Sequence, residues 1–358
     1  MMHRNIAFFE TITPYWRDLQ NSLYAAGFRC YYVYENLYNH SPASLRKELS
    51  FEPVALKPRG KNSLRLFELL RIIRGNSPQT VISIEYSFLT FQLLMIRLFS
   101  GRKFRVVVRC DDSFDMLSHP MSKLHAIGFR LMAPHVDDVI LCDRKTYGYY
   151  QERFRKGIYF PIIRDEALFR SDLCSALPLS AEIEKRHGLA GKKVLLFVGR
   201  LIRFKNLDGA IEAYKRIEPK DYVFVIVGDG ELRQELERQS AGSRNRIFFA
   251  GLQTGRDLLA WYNLADVFIL PSRREPFGAV VNEALIAGCR CLVSDKAGSA
   301  GLIDRTNGSL IDPDSVGDMM TKMTEALEQS PDRSLSSIRD SLMTISYDQA
   351  VSSLIKAL

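Results

Sequence analysis

Three features of this sequence predict an α/β protein with two doubly wound parallel-sheet domains. Short apolar runs rich in Val, Ile and Phe recur, helix-length segments separate them, and the rhythm breaks once before it restarts. The first series is IAFF (6–9), FRCYYVY (28–34), VISIEY (81–86), FRVVVRC (104–110) and VDDVILC (136–142). A polar stretch near 170–190 follows. The second series is KKVLLFVG (192–199), YVFVIVG (222–228), RIFFAG (246–251), DVFILPS (266–272) and RCLVSD (290–295). Strands covered on both faces read as continuous apolar runs, whereas half-solvated strands alternate, so these runs point to parallel sheets between helices. A chain of 358 residues is also long for one core. One domain is expected over 1–170 and the second over 171–344.

Composition narrows the class further. With 46% hydrophobic and 25% charged residues, the chain has ordinary globular chemistry. No apolar run approaches the ~18 residues of a membrane span. MMHRNIAFFE leads straight into the first strand without a signal-peptide pattern. The six cysteines lack CxxC spacing, which argues for buried thiols and against a zinc site or disulfide framework. A cytoplasmic protein is expected. The net charge of +8 is uneven: residues 1–170 hold 25 Lys and Arg against 16 Asp and Glu, while 171–358 hold 24 against 25. A basic first half calls for an anionic partner: nucleic acid, lipid surface or phosphorylated substrate.

The second series places cations and carboxylates at strand ends, where open α/β sheets bind ligands. LLFVGRLIRFKN (195–206) reads as strand, glycine turn and helix start, with Gly199, Arg200 and Lys205 in the turn. VIVGDGELRQEL (225–236) repeats the unit around Gly228. SRREPFGAVVNEALIAG (272–288) gives a third, with Glu275, Phe277 and Gly278 in the turn and Glu283 on the helix. Helix N-termini aim backbone N–H groups at one side of the sheet, and Arg and Lys there can complete a diphosphate site. Any one such turn is generic to the fold class.

The ordered set is not generic. GRLxxxKN (199–206), GDGEL (228–232), ADVFILPS (265–272), Glu275 and Glu283 eight positions apart, EALIAG (283–288) and NGSLIDP (307–313) together resemble family 4 retaining glycosyltransferases. The likeness is close over 192–313 and rests only on strand–helix rhythm before that. It implies two facing Rossmann-like domains, the GT-B architecture, and a C-terminal helix at 345–358 that packs back on the first domain. It also implies a nucleoside-diphosphate sugar as substrate. Glu283 would hold the ribose hydroxyls, and Glu275 would contact the transferred sugar near the amides of Phe277 and Gly278. Gly199 and Gly228 would line the donor, while Arg200 and Lys205 would neutralise the diphosphate. The resemblance implies no metal or other cofactor. The Asp312–Asp314 pair in IDPDS reads as a loop.

The first half departs from the family in two places. Cys110, Asp111 and Asp112 stand where a His-Asp pair is usual, which makes Asp111 the candidate to assist catalysis, with Asp112 and His119 as substitutes. No glycine follows the first strand before Gly27, so Thr11, Thr13 and Tyr15 are left to line the cleft. Two segments carry the basic excess. KNSLRLFELLRIIRG (61–75) places Leu66, Leu69, Leu70 and Ile73 on one helix face, with Lys61, Arg65, Arg71 and Arg74 beside it. FLTFQLLMIRLFSGRKFR (88–105) reads as an apolar helix ending in a basic cluster. The apolar faces are expected to pack on the sheet and the cations to attract an anionic membrane. A glycan or lipid-diphosphate-linked acceptor fits that charge, with the protein peripheral at the inner membrane face. Nucleic acid fits less well, because aromatic and basic residues do not interleave. A nucleotide-sugar epimerase and a non-catalytic basic lipid-binding protein remain the alternatives. A glycosidase carboxylate pair would not need phosphate-binding turns.

Overall fold

The computed structural model describes residues 5–33, 49–56, 64–119 and 123–358. Lys61 and the side chain of Tyr15 lie outside the described residues. The chain divides into two compact units, Met1–Ile162 with Asp348–Leu358, and Ile163–Tyr347.

The first unit runs β1 (Asn5–Phe9), α1 (Pro14–Ala25), β2 (Phe28–Tyr32), β3 (Val54–Ala55), α2 (Leu66–Asn76), β4 (Thr80–Ile84), α3 (Phe88–Phe99) and β5 (Arg105–Cys110). It continues with α4 (Phe114–Ser118), α5 (Lys123–Met132), β6 (Asp138–Leu141), α6 (Arg144–Phe154) and β7 (Ile158–Tyr159). Among the described residues its seven strands are parallel, in the order β3-β2-β1-β4-β5-β6-β7. The short strands β3 and β7 escaped the sequence, because two residues leave no periodicity to read. Helix α2 buries Leu69 and Ile73 as its spacing predicts, with Leu66 and Leu70 partly buried beside them. Helix α3 stops at Phe99, earlier than the basic cluster, because Ser100 and Gly101 close it and Arg105 already pairs with Thr80 in the sheet.

The second unit runs α7 (Glu166–His187), β8 (Lys193–Val198), α8 (Leu207–Lys215), β9 (Tyr222–Val227), α9 (Arg233–Ser240), β10 (Arg246–Gly251) and α10 (Gly255–Leu264). It closes with β11 (Val267–Leu270), α11 (Val280–Ile286), β12 (Arg290–Ser294), β13 (Gly308–Ile311) and α12 (Val316–Gln329). Its six parallel strands are ordered β10-β9-β8-β11-β12-β13. The stretch near 170–190, read as a break, is the longest of these helices. It buries Phe169, Leu173, Ala176, Ser180 and Ile183, a repeat of four and three residues that Pro178 and the many charges obscure. The division between the units therefore falls before this helix, at Ile162, and not at 170.

The last helix, α13 (Tyr347–Ala357), mostly belongs to the first unit. Thr80 Oγ1 and Arg105 Nη1 donate to the Leu358 carbonyl at 2.8 and 2.9 Å. Among the described residues no helix is long and apolar enough to cross a membrane. All six cysteines are free, and every one but Cys174 is buried.

One ionic cluster ties the tail of the second unit to its sheet. Arg333 reaches Asp266 Oδ2 at 2.7 Å and Glu184 Oε1 at 3.1 Å, and also donates to the Leu189 and Leu264 carbonyls. Asp266, at the start of β11, accepts from the Val194 amide of β8 at 2.7 Å. Arg333→Ala would leave the Asp266 carboxylate buried and uncompensated, a loss of roughly 3–5 kcal/mol. Urea denaturation of the variant should show that loss, and an unchanged midpoint would mean the cluster is not stabilising.

Candidate functional site

Strand order decides where the sequence motifs meet. In the second sheet, β8 turns one way to β9 and the other way to β11, so the loops after β8 and β11 flank a switch point. Ligands of open parallel sheets bind in the crevice beyond such a point. The loop after β8 contains Gly199, Arg200 and Lys205, and the loop after β11 contains Glu275, Phe277 and Gly278. Lys205 Nζ and Glu275 Oε2 form an ion pair across it. Ser272 Oγ donates to the same carboxylate oxygen at 3.2 Å.

Asn206 holds the Lys205 turn in place. It takes a left-handed conformation at φ 53°, and its amide Nδ2 donates to the Pro271 and Pro313 carbonyls at 3.1 and 2.6 Å. This stitches the β8 loop to the β11 loop and to the turn after β13. Arg200 is exposed, and its side chain has no hydrogen bond or ion pair among the described residues. It is a cation with its donors available.

Glycine is compulsory where these turns pack on one another. At Gly228, φ is 140° and a Cβ would overlap the Gly199 carbonyl oxygen. The GDG and GRL turns thus meet backbone to backbone. At Gly278, φ is 91° and a Cβ would lie 2.5 Å from Leu270 Cδ2. Phe277 is buried, and its carbonyl accepts from the Ser299 amide at 2.8 Å. Ser299 Oγ is buried beside it without a hydrogen-bond partner among the described residues.

Glu283 is held differently from Glu275. It sits in the first turn of α11, where Tyr262 OH donates to Oε2 at 2.9 Å and Arg164 Nη1 donates to Oε1 at 3.2 Å. Burial, with Glu283 alongside, pushes the Tyr262 hydroxyl well above its usual range, so it stays a donor. The structure therefore brings Lys205 to Glu275, and gives Glu283 its own partners. Arg164 and Tyr262 escaped the sequence analysis. Nothing local to the PIIRDE stretch or to α10 marks either side chain as facing Glu283. Asp314 pairs with Lys296 and, at 3.0 Å, with Arg273, so the Asp312–Asp314 pair is part of an ionic loop.

In the first unit the switch point lies between β1 and β4. Although this half of the chain is basic, the described residues at the carboxyl ends of β4 and β5 include the carboxylates Glu85, Asp111 and Asp112. Asp111 accepts from Trp16 Nε1 at 3.1 Å and lies 3.4 Å from Arg109 Nε. The Arg109 guanidinium stacks over Trp16 and Phe9, 4.4 and 5.1 Å from the ring centroids. The Asp111 amide donates to Glu85 Oε1 at 3.2 Å, and Glu85 itself stands at φ 49°. Glu85, Cys110 and Asp112 place ligand-type atoms within 4.8 Å of one another. His119 is an exposed side chain 3.7 Å from Asp115.

Glu85 was not singled out by the sequence, because a single Glu after a strand carries no signal. Burial first, then Asp112 and Asp111, pushes its carboxyl up to about 8. Burial likewise raises the Asp111 carboxyl and the Cys110 thiol.

Residues 180–337, within the second unit, match the family described as Glycosyl transferases group 1. Among curated relatives, an uncharacterized glycosyltransferase of Methanocaldococcus jannaschii is 37% identical over 132 residues, 35% of this chain and 34% of its own. Alpha-D-kanosaminyltransferase of Streptomyces kanamyceticus is 30% identical over 153 residues, 41% and 40% respectively. The chain thus spans little more than a third of the length of the curated relatives it matches. Among solved structures, HepE of Anabaena in complex with UDP-glucose superposes with a TM-score of 0.71 at 17% identity, covering 99% of both chains. The lipopolysaccharide outer core galactosyltransferase WaaB in its apo form gives 0.71 at 16%, covering 99% of this chain and 100% of that one. The fold, two Rossmann-like domains, is shared with these proteins.

Glu85 gives a pH test with a definite sign. Its folded value lies above the ordinary 4.5, so its contribution to stability is complete below about 4.5 and is lost as pH rises through about 8. Glu85→Gln should flatten the decline in melting temperature across that window. A variant that declines as steeply as the wild type would show that another group titrates there.

Proposed function

We propose that the chain is a retaining glycosyltransferase that moves a sugar from a nucleoside diphosphate to an acceptor hydroxyl. The observation that carries this reading is the Lys205–Glu275 ion pair at the switch point, with the exposed Arg200 guanidinium on the same turn. A diphosphate brings stronger negative charge to Lys205 than one carboxylate does. Glu275 is then left to accept hydrogen bonds from sugar hydroxyls. As the bond from sugar to β-phosphate breaks, negative charge grows on that phosphate. Lys205 and Arg200 stabilise it more in the transition state than in the bound donor. The departing phosphate takes the acceptor's proton on the face where the acceptor attacks, so no enzyme nucleophile enters. With two cations supplying the charge, the reading needs no metal.

Glu283 is assigned the ribose hydroxyls. An ionised carboxylate has about four lone-pair sites, and Arg164 and Tyr262 occupy two, so one remains on each oxygen. That HepE is seen with UDP and with UDP-glucose supports a nucleoside-diphosphate donor here. In the first unit, Asp111 is assigned the acceptor side, since the carboxylates gathered after β4 and β5 suit hydroxyl groups. The positive excess of this half supports a glycan acceptor borne on a lipid diphosphate, with the protein bound peripherally to an anionic membrane at its inner face.

Two variants test the donor reading. Lys205→Ala should lower turnover by about 100-fold, the scale of one lost charge-stabilising donor; near-normal turnover removes its role. A thermal-shift panel of UDP, GDP, ADP and their sugar conjugates should raise the melting temperature for one nucleotide, and Glu283→Ala should abolish that rise. Equal shifts in wild type and variant would take the ribose away from Glu283.

A further inference from the structure

At one corner of the first unit, apolar side chains lie outside the core and cations surround them. Helix α3 buries Leu89, Leu93, Leu94 and Ile96, then ends in Leu98 and Phe99, which are 68% and 80% exposed. Beside them an open depression of about 620 Å³ is lined by Arg97, Arg102, Lys103 and Arg105, with Asp137 as its one acid. Arg102 donates to Ser77 Oγ at 3.4 Å, which brings the end of α2 and its exposed Arg74 to the same corner.

The charges there do not cancel. Arg97 pairs with Asp137, and Arg105 lies 3.7 Å from Asp138. Arg74, Arg102 and Lys103 have no carboxylate partner among the described residues. Three cations next to two exposed apolar side chains match a layer with anionic heads over an apolar interior. A nucleic acid would satisfy the cations but offers Leu98 nothing to be buried in.

We propose that this corner docks on an anionic phospholipid surface, with Leu98 and Phe99 entering the acyl boundary and Arg102 and Lys103 holding headgroup phosphates. The inference rests on the membrane reading above and gives it a location and two separable forces. Cation contacts fade with salt, whereas apolar insertion does not. The corner is at the amino ends of β4 and β5. Six residues of β5 at ~3.3 Å each put it roughly 20 Å from the carboxyl edge that carries Glu85 and Asp111. Docking therefore tethers the protein and is separate from acceptor recognition.

The test is sedimentation of the full chain with vesicles of phosphatidylcholine, with and without phosphatidylglycerol, at low and high salt. Wild type should bind only the anionic vesicles. Arg102→Glu with Lys103→Glu should weaken binding by about tenfold, equivalent to about 1.4 kcal/mol. Leu98→Ser with Phe99→Ser should remove the binding that persists at high salt. Arg130→Glu with Arg153→Glu makes the same change in net charge at exposed sites elsewhere in the unit and should cost less than about twofold. If that distal pair costs as much as the corner pair, attraction is diffuse and the corner assignment falls while the membrane reading stands. If wild type ignores anionic vesicles, both fall. Melting temperatures equal to wild type confirm that each variant folds.

Discussion

The pairing of β8 with β11 is the constraint on which the site depends. It sets Lys205 and Glu275, 70 positions apart in the chain, against each other at the point where strand order reverses. Asp266 and Arg333 secure that pairing from the opposite edge, because the Asp266 carboxylate bridges the Val194 amide and the Arg333 guanidinium. Asn206 secures it from above by joining the two loops. A partly buried ion pair loses most of its solvation, so it persists only where the backbone around it is fixed. Here two proline carbonyls and two interlocked glycine turns fix it.

The same logic explains why the two glutamates differ. Glu275 faces a lysine that a more highly charged ligand can draw away. Glu283 is oriented by a tyrosine and an arginine from its own unit, and these define the direction of its remaining lone pairs. One carboxylate pairs with a lysine and the other is pre-organised, an asymmetry that fits the donor site proposed above.

Charge is also sorted within the first unit. Among the described residues, carboxylates gather at the carboxyl ends of β4 and β5. There Glu85, Asp111 and Asp112 gather around Arg109 and Trp16, and burial keeps Glu85 protonated near neutrality. Arg74, Arg102 and Lys103, without a carboxylate partner among the described residues, sit at the amino edge. Half-chain charge counts average over these two edges, and only strand direction separates them.

Local chemistry set what was legible in the chain. Continuous apolar runs determine buried parallel strands, since each strand must satisfy its backbone in a sheet covered on both faces. Gly199, Gly228 and Gly278 mark turns that admit no side chain, and Arg200, Lys205, Glu275 and Glu283 stand out beside them as charges at strand ends. The tertiary structure decided what depends on adjacency between distant segments. Strand order chose Glu275 as the partner of Lys205, and packing of α10 and the segment before α7 supplied Tyr262 and Arg164 to Glu283. It also turned the polar stretch after 165 into α7, because neighbouring helices gave its apolar face something to cover. The apolar face of 88–105 is expected from the sequence to pack on the sheet, yet Leu98 and Phe99 at the end of α3 are exposed.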